Sequence, residues 1–233
     1  MNDSRTTPGI PDPPLPFTGG RIPRDEAERR QVEWRVMAQY FVAPALSFAA
    51  VAAGISLGWP RLAATGVLGL GLSILANGLL AVRERRLLFI RGGTLTRREY
   101  RYFIYEGLAA VPYGLAITIA GTLLAVPAVL FLAGVEPEAM RAAVLARPHL
   151  LLIPGGSGLL LHGLGFCIGF GREAQSPHDR VAIALLHLPA LLGGLILVAL
   201  GGALLAIGLT EWLAPAVFRA RFESLFGNPW PFS

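Results

Sequence analysis

RERRLLFIRGGTLTRREYRYFIYE, residues Arg83 to Glu106, decides the architecture. Seven of its residues are arginine (Arg83, Arg85, Arg86, Arg91, Arg97, Arg98 and Arg101), and a long apolar run lies on each side of it. A segment this basic between two membrane-length runs stays on the cytoplasmic side during insertion. That choice sets the direction of every other run. Leu87 and Leu88 continue the preceding apolar pattern, Gly92-Gly93 would stop a helix, and Thr96 with Glu99 fits a capping box. The stretch is therefore predicted as two helical extensions joined by a short turn.

Outward from it, five apolar segments are long enough to cross a bilayer: about 36–57, 62–82, 107–135, 149–170 and 181–209. With the N-terminus inside, fifteen of the twenty arginines fall on the cytoplasmic side and five outside. This split predicts a cytoplasmic N-terminus and an outer C-terminus. The composition agrees: 54% hydrophobic, only 15% charged, mean hydropathy +0.56, against about a quarter charged in soluble domains. No run of short alternating segments suggests a β-barrel. The fold class expected is all-α, a polytopic helical membrane protein in a bacterial-type inner membrane.

Residues 1–22 are polar and rich in Pro and Gly, an extended tail without the apolar core of a signal peptide. The transmembrane helical domain is expected over 23–213. The third span is long and holds Pro112 and Pro127, so tilt or a kink is expected. Pro154-Gly155-Gly156-Ser157-Gly158 weakens helix in the outer half of the fourth span and suggests a broken or re-entrant entry. Over 214–233, Phe218, Phe222, Leu225 and Phe226 share one helical face, with Arg219, Arg221 and Glu223 elsewhere. That pattern predicts an amphipathic helix in the interface plane, ended by Gly227-Asn228-Pro229 and followed by an aromatic tail.

Several function classes drop out. All twenty Lys+Arg residues are Arg, so no lysine Schiff base can form and retinal or PLP chemistry is excluded. The net charge of +5 lies beside membrane segments, where orientation and anionic lipid explain it better than nucleic acid does. Cys167 is the only cysteine, which excludes an intramolecular disulfide and a cysteine-based cluster. No metal site is expected: His178-Asp179 is one pair in a polar turn, and His149 follows Arg147-Pro148 as a cap. There is no HExxH, no Ser–His–Asp spacing and no carboxylate in a predicted membrane centre, which argues against catalysis and ion-coupled transport. No internal sequence repeat is evident, which disfavours an inverted-repeat transporter.

Polar residues at membrane depth remain. Counting inward, Asn77, Tyr113, His162 and His187 come from four helices and lie roughly 8–12 Å below the cytoplasmic boundary. Gly158, His162, Gly165 and Gly169 share a face of the fourth span, a groove holding an imidazole. A tetrapyrrole, haem b or chlorophyll-type, needs such a space beside an axial nitrogen, and His187 is the candidate second ligand. The competing explanation is that the small residues admit a neighbouring helix. The leading expectation is a non-catalytic accessory or scaffold subunit of a larger membrane complex, respiratory or photosynthetic, whose partners are the lipid bilayer and other membrane subunits. A tetrapyrrole-binding subunit using His162 and His187 is the second, and a homo-oligomeric pore or small-solute transporter is the third.

Overall fold

The computed structural model describes residues 23, 25–91, 101–168 and 177–230, with the backbone alone at 89–91, 101–103, 105, 177–184, 186 and 187. The N-terminal tail 1–22, the Thr96–Glu99 capping box, Gly169, the turn 171–176 and the end of the aromatic tail lie outside the described residues. The protein is helical, with five helices long and apolar enough to span a membrane. α1 (Glu26–Val36) passes through a π-helical turn at Met37–Val42 into α2 (Ala43–Ser56), which together form the first candidate span. The others are α3 (Pro60–Glu84), α4 (Ala110–Leu132), α6 (His149–Ile168) and, within the longer α7 (Pro177–Leu213), residues Leu188–Leu213. α6 is continuous through Pro154, so the Pro-Gly run does not break it. α4 has 23 residues rather than the longer span expected from its apolar run.

Two short helices lie at the same end as the start of α6. α5 (Pro137–Ala146) occupies most of the connection between α4 and α6, and α8 (Pro215–Phe226) follows α7 directly. Both open with Pro in the first turn, where its missing N–H has no intrahelical partner to lose. Gly227, at φ +71°, caps α8 by donating its N–H to the Glu223 carbonyl at 2.7 Å.

The arginine-rich stretch is not two helical extensions. α3 stops at Arg85, which takes the left-handed conformation at φ +52°, and the chain enters an antiparallel ribbon. β1 (Arg86–Arg91) pairs with β2 (Arg101–Glu106) in the register Arg86↔Glu106 to Arg91↔Arg101. The Arg86 Nε sits 2.9 Å from its cross-strand partner Glu106. Both runs are rich in aromatic and β-branched residues, which favour strand. The ribbon also buries apolar groups in two directions. Ile104 packs with Val32 and Val36 of α1, and Leu87 joins Ala81, Ala109, Ala110 and Tyr113 beneath the strands. Two helical extensions would leave one of these clusters open. The Tyr40 hydroxyl donates to the Leu88 carbonyl at 3.0 Å, and Arg35 pairs with Glu84 at 2.7 Å, tying α1 and the π-turn to the α3–ribbon junction.

α2 packs on α3, α3 on α4, α4 on α6 and α6 on α7, each pair antiparallel. Among the described residues no packing interface joins α2 or α3 to α6 or α7, so the helices form an open row. A single row keeps two broad faces uncovered. In the five apolar windows only 11 to 22% of residues are buried.

Contact along the row depends on glycine. Gly71 and Gly78 of α3 face Gly121 and Gly114 of α4; Gly156 and Gly163 of α6 face Gly201 and Gly194 of α7. A Cβ built on any of these eight would fall 2.5–3.0 Å from the carbonyl oxygen of its partner glycine. Spacing by seven residues returns each glycine to the same seam every two turns, the repeat of a left-handed helix pair. The same geometry thus occurs twice, in the α3–α4 and α6–α7 hairpins, without evident sequence similarity. Both hairpins run in the same sense, which makes this repetition and not inversion. Asn77 and His162 occupy equivalent places, each directly before a paired glycine.

Candidate functional site

Three aromatic rings meet between α4 and α6. Tyr113 is buried in the first turn of α4, while His162 and Phe166 are four residues apart on α6 and so share a face. The Tyr113 ring centroid is 4.9 Å from His162 and 5.6 Å from Phe166, with interplanar angles of 87° and 70°. His162 and Phe166 are 5.2 Å apart at 74°. All three contacts are edge-to-face, the arrangement favoured by the ring quadrupoles.

Gly165 lets Tyr113 approach: a Cβ there would come within 2.7 Å of the tyrosine ring. Gly158, on the same face, lies opposite Ile119, whose Cγ2 would be 3.6 Å from a Cβ. The Gly158–His162–Gly165 face therefore looks onto α4, and Tyr113 occupies the space beside the imidazole. A macrocycle ligated by His162 there would first have to displace the Tyr113 ring. Gly78 meets Gly114 and Thr118 of the antiparallel α4, so the adjacent Asn77 lies at least two residues, roughly 3–6 Å, further from the start of α4 than Tyr113. His187 is in α7, and its side chain lies outside the described ones. The Gly163–Gly194 contact sets the α6–α7 register. Gly163 also meets Val198, so His187 lies eight to twelve residues, roughly 12–18 Å along the axis, from the level of His162. The structure thus brings Tyr113 and His162 into contact, with Asn77 on the next helix offset along the axis from Tyr113.

A second constellation lies at the opposite end of the row, and sequence reasoning found only half of it. His149 opens α6. Its backbone N–H donates to Glu211 Oε2 at 3.2 Å, and its Nδ1 makes a short hydrogen bond to the same oxygen. Glu211 is 8% exposed. A carboxylate at a helix N-terminus satisfies an N–H that lacks an intrahelical acceptor and meets the positive end of the helix dipole. His149 thus helps cap its helix, and a residue 62 positions away completes the cap. The ring of Trp212 lies beside the imidazole, 6.4 Å between centroids. Glu211 falls two residues past the span expected to end at 209, so it reads as an interfacial charge. A carboxylate beside Trp at the end of an apolar helix is the signal that was available.

Among the described residues no three His, Cys, Asp or Glu side chains converge to hold a metal ion. No protein-family model, curated protein or solved structure matches this chain. His178-Asp179 falls in the first turn of α7. Cys167 is at the α6–α7 seam, where a Cβ on Gly194 would meet its sulfur at 2.9 Å.

Proposed function

We propose that the protein is a non-catalytic accessory or scaffold subunit of a larger integral membrane complex, seated in a bacterial-type inner membrane with the N-terminus and ribbon in the cytoplasm. The open row of helices carries this reading. Close packing is spent on the seams between successive helices, leaving both broad faces of the row apolar. Leu46, Ile55, Leu195 and Ile196 are all more than half exposed. One face suits lipid and the other a partner of matching shape, since helices in a bilayer associate through packing rather than water exclusion. The fifteen-to-five distribution of arginines supports the orientation, and α8 with its aromatic face then lies at the outer interface.

Extraction from its native membrane in a mild detergent tests the reading. The chain is expected to migrate with one or more other membrane subunits in fixed ratio, and to retain them after cross-linking on the exposed faces of α2 or α7. A monodisperse single chain that carries out a reaction or flux alone would refute it. Impermeant thiol labelling of cysteines placed at Gly134 and at Arg85 tests the orientation. Gly134 should react from the outside and Arg85 only after the membrane is opened.

A further inference from the structure

The last two turns of α7 and one side of α8 enclose a groove of about 280 Å³. Its walls include Ala206, Ile207 and Thr210 from α7, and Phe218, Phe222 and Arg221 from α8. Phe218, Phe222, Phe226 and Trp230 stack along α8 with ring centroids 4.6–6.4 Å apart, which stiffens that wall. A stiff apolar wall loses little freedom when something binds against it.

The polar requirements of the groove are few and specific. The Thr210 hydroxyl already donates to the Ala206 carbonyl at 2.8 Å, so it asks nothing of an occupant. Arg221 forms no ion pair with any described carboxylate. Arg221 is exposed, so its guanidinium is open to an anionic group, and an occupant that is apolar along most of its length with one anionic group near its end matches this lining.

Depth narrows the choice. Ala206 and Thr210 are seven and three residues from the end of the last candidate span, about 5–10 Å inside it. Acyl chains meet headgroups at that level. Trp212 and Trp230, one at the end of the span and one beside α8, are residue types enriched at this boundary. A guanidinium matches a phosphate with two parallel N–H donors.

We propose that the α7–α8 groove binds a glycerophospholipid, one acyl chain lying between Ile207 and Phe222 and the phosphodiester held by Arg221. This rests on α7 spanning a bilayer, and it does not depend on the accessory-subunit reading.

The test uses the full chain in phosphatidylcholine vesicles containing phosphatidylglycerol with a photoactivatable acyl chain. After illumination, lipid adducts are mapped by mass spectrometry. Adducts should concentrate on Ile207, Phe222 and Leu225 over Leu195 and Ile196, which are exposed on α7 away from the groove. Arg221→Gln should lower groove labelling about tenfold, the loss of roughly one charged hydrogen-bond pair. Arg219→Gln, whose residue does not line the groove, should leave it unchanged. Ala206→Trp should fill the groove and remove the adducts while circular dichroism and monodispersity stay as in the parent. Equal labelling of groove and control positions overturns the proposal, and so does retained labelling in Arg221→Gln. A groove shielded by a second copy would carry no lipid adduct and would overturn it as well. Carbonate-resistant membrane integration without groove adducts defeats the lipid site alone; loss of integration defeats the spanning reading beneath it.

Discussion

Adding one methyl group at Gly78 tests the helix-row architecture most directly. A Cβ there would lie 2.5 Å from the Gly114 carbonyl oxygen and 2.5 Å from the Thr118 nitrogen. Ordinary contact begins near 3.4 Å, so α3 and α4 must separate by the better part of an ångström. The Thr118 hydroxyl oxygen is also in the way, but the other two atoms are backbone, which cannot rotate away as a side chain would. Overpacking of this kind costs about 1–3 kcal/mol. Alanine also has a better helix propensity than glycine by about 0.8–1.0 kcal/mol. The gain shrinks in a micelle-denatured state that keeps its helices. The net expectation for Gly78→Ala is a loss of about 1–2 kcal/mol, roughly a tenfold change in the folded ratio. The assay is reversible unfolding in mixed micelles by a rising fraction of anionic detergent, followed by circular dichroism and tryptophan fluorescence. Gly193→Ala and Gly202→Ala are the controls, because a Cβ at either meets nothing within 4 Å. They should be neutral or slightly stabilising. The reasoning is refuted if Gly78→Ala and Gly193→Ala move stability in the same direction by the same amount.

Three further outcomes follow from named contacts. His149→Ala removes the imidazole from the buried Glu211 oxygen, leaving it only the backbone N–H of residue 149, and should cost about 1–3 kcal/mol. A double-mutant cycle with Glu211→Leu should show coupling between the two side chains, and its absence would exclude a stabilising imidazole–carboxylate contact. Ile104→Ala empties a position that is 1% exposed between the ribbon and α1. It should cost about 2–5 kcal/mol and speed amide exchange in α1 ahead of α3, and unchanged α1 exchange would show that the ribbon does not hold that helix. Arg85→Gly relieves a left-handed residue with a side chain at a helix end. Less the entropy cost of glycine, it should stabilise by about 0.5–1 kcal/mol in the same micelle titration, and a destabilised variant would mean the Arg85 side chain makes a contact worth more than the strain.

The glycines show how far sequence reading reaches. Their number marked the spans as closely packed, yet nothing in the spacing separates Gly78, pressed against Gly114, from Gly193, which faces open space. The ribbon was legible in part. Arg86–Arg91 and Arg101–Glu106 are strand-favouring runs on either side of Gly92-Gly93, but Leu87 and Leu88 also continue a helical apolar pattern. What decides between the two is burial of Ile104 on α1, a contact with residues about seventy positions earlier. The Gly158–His162–Gly165 face was read as a groove beside an imidazole; in the structure Tyr113, from another helix, lies against Gly165 and His162.

The number and rough placement of the apolar helices came from sequence alone, because transfer from water to hydrocarbon is a sum over adjacent residues and each helix satisfies its own backbone. Register belonged to the tertiary structure. Which glycines touch, which carboxylate caps α6, how the arginine stretch pairs as strands and where the α7–α8 groove opens all depend on the relative height of segments far apart in the chain. Hydropathy is nearly blind to a shift of one helix along another, whereas a seam in which a methyl group would lie 2.5–3.0 Å from a carbonyl oxygen tolerates almost none.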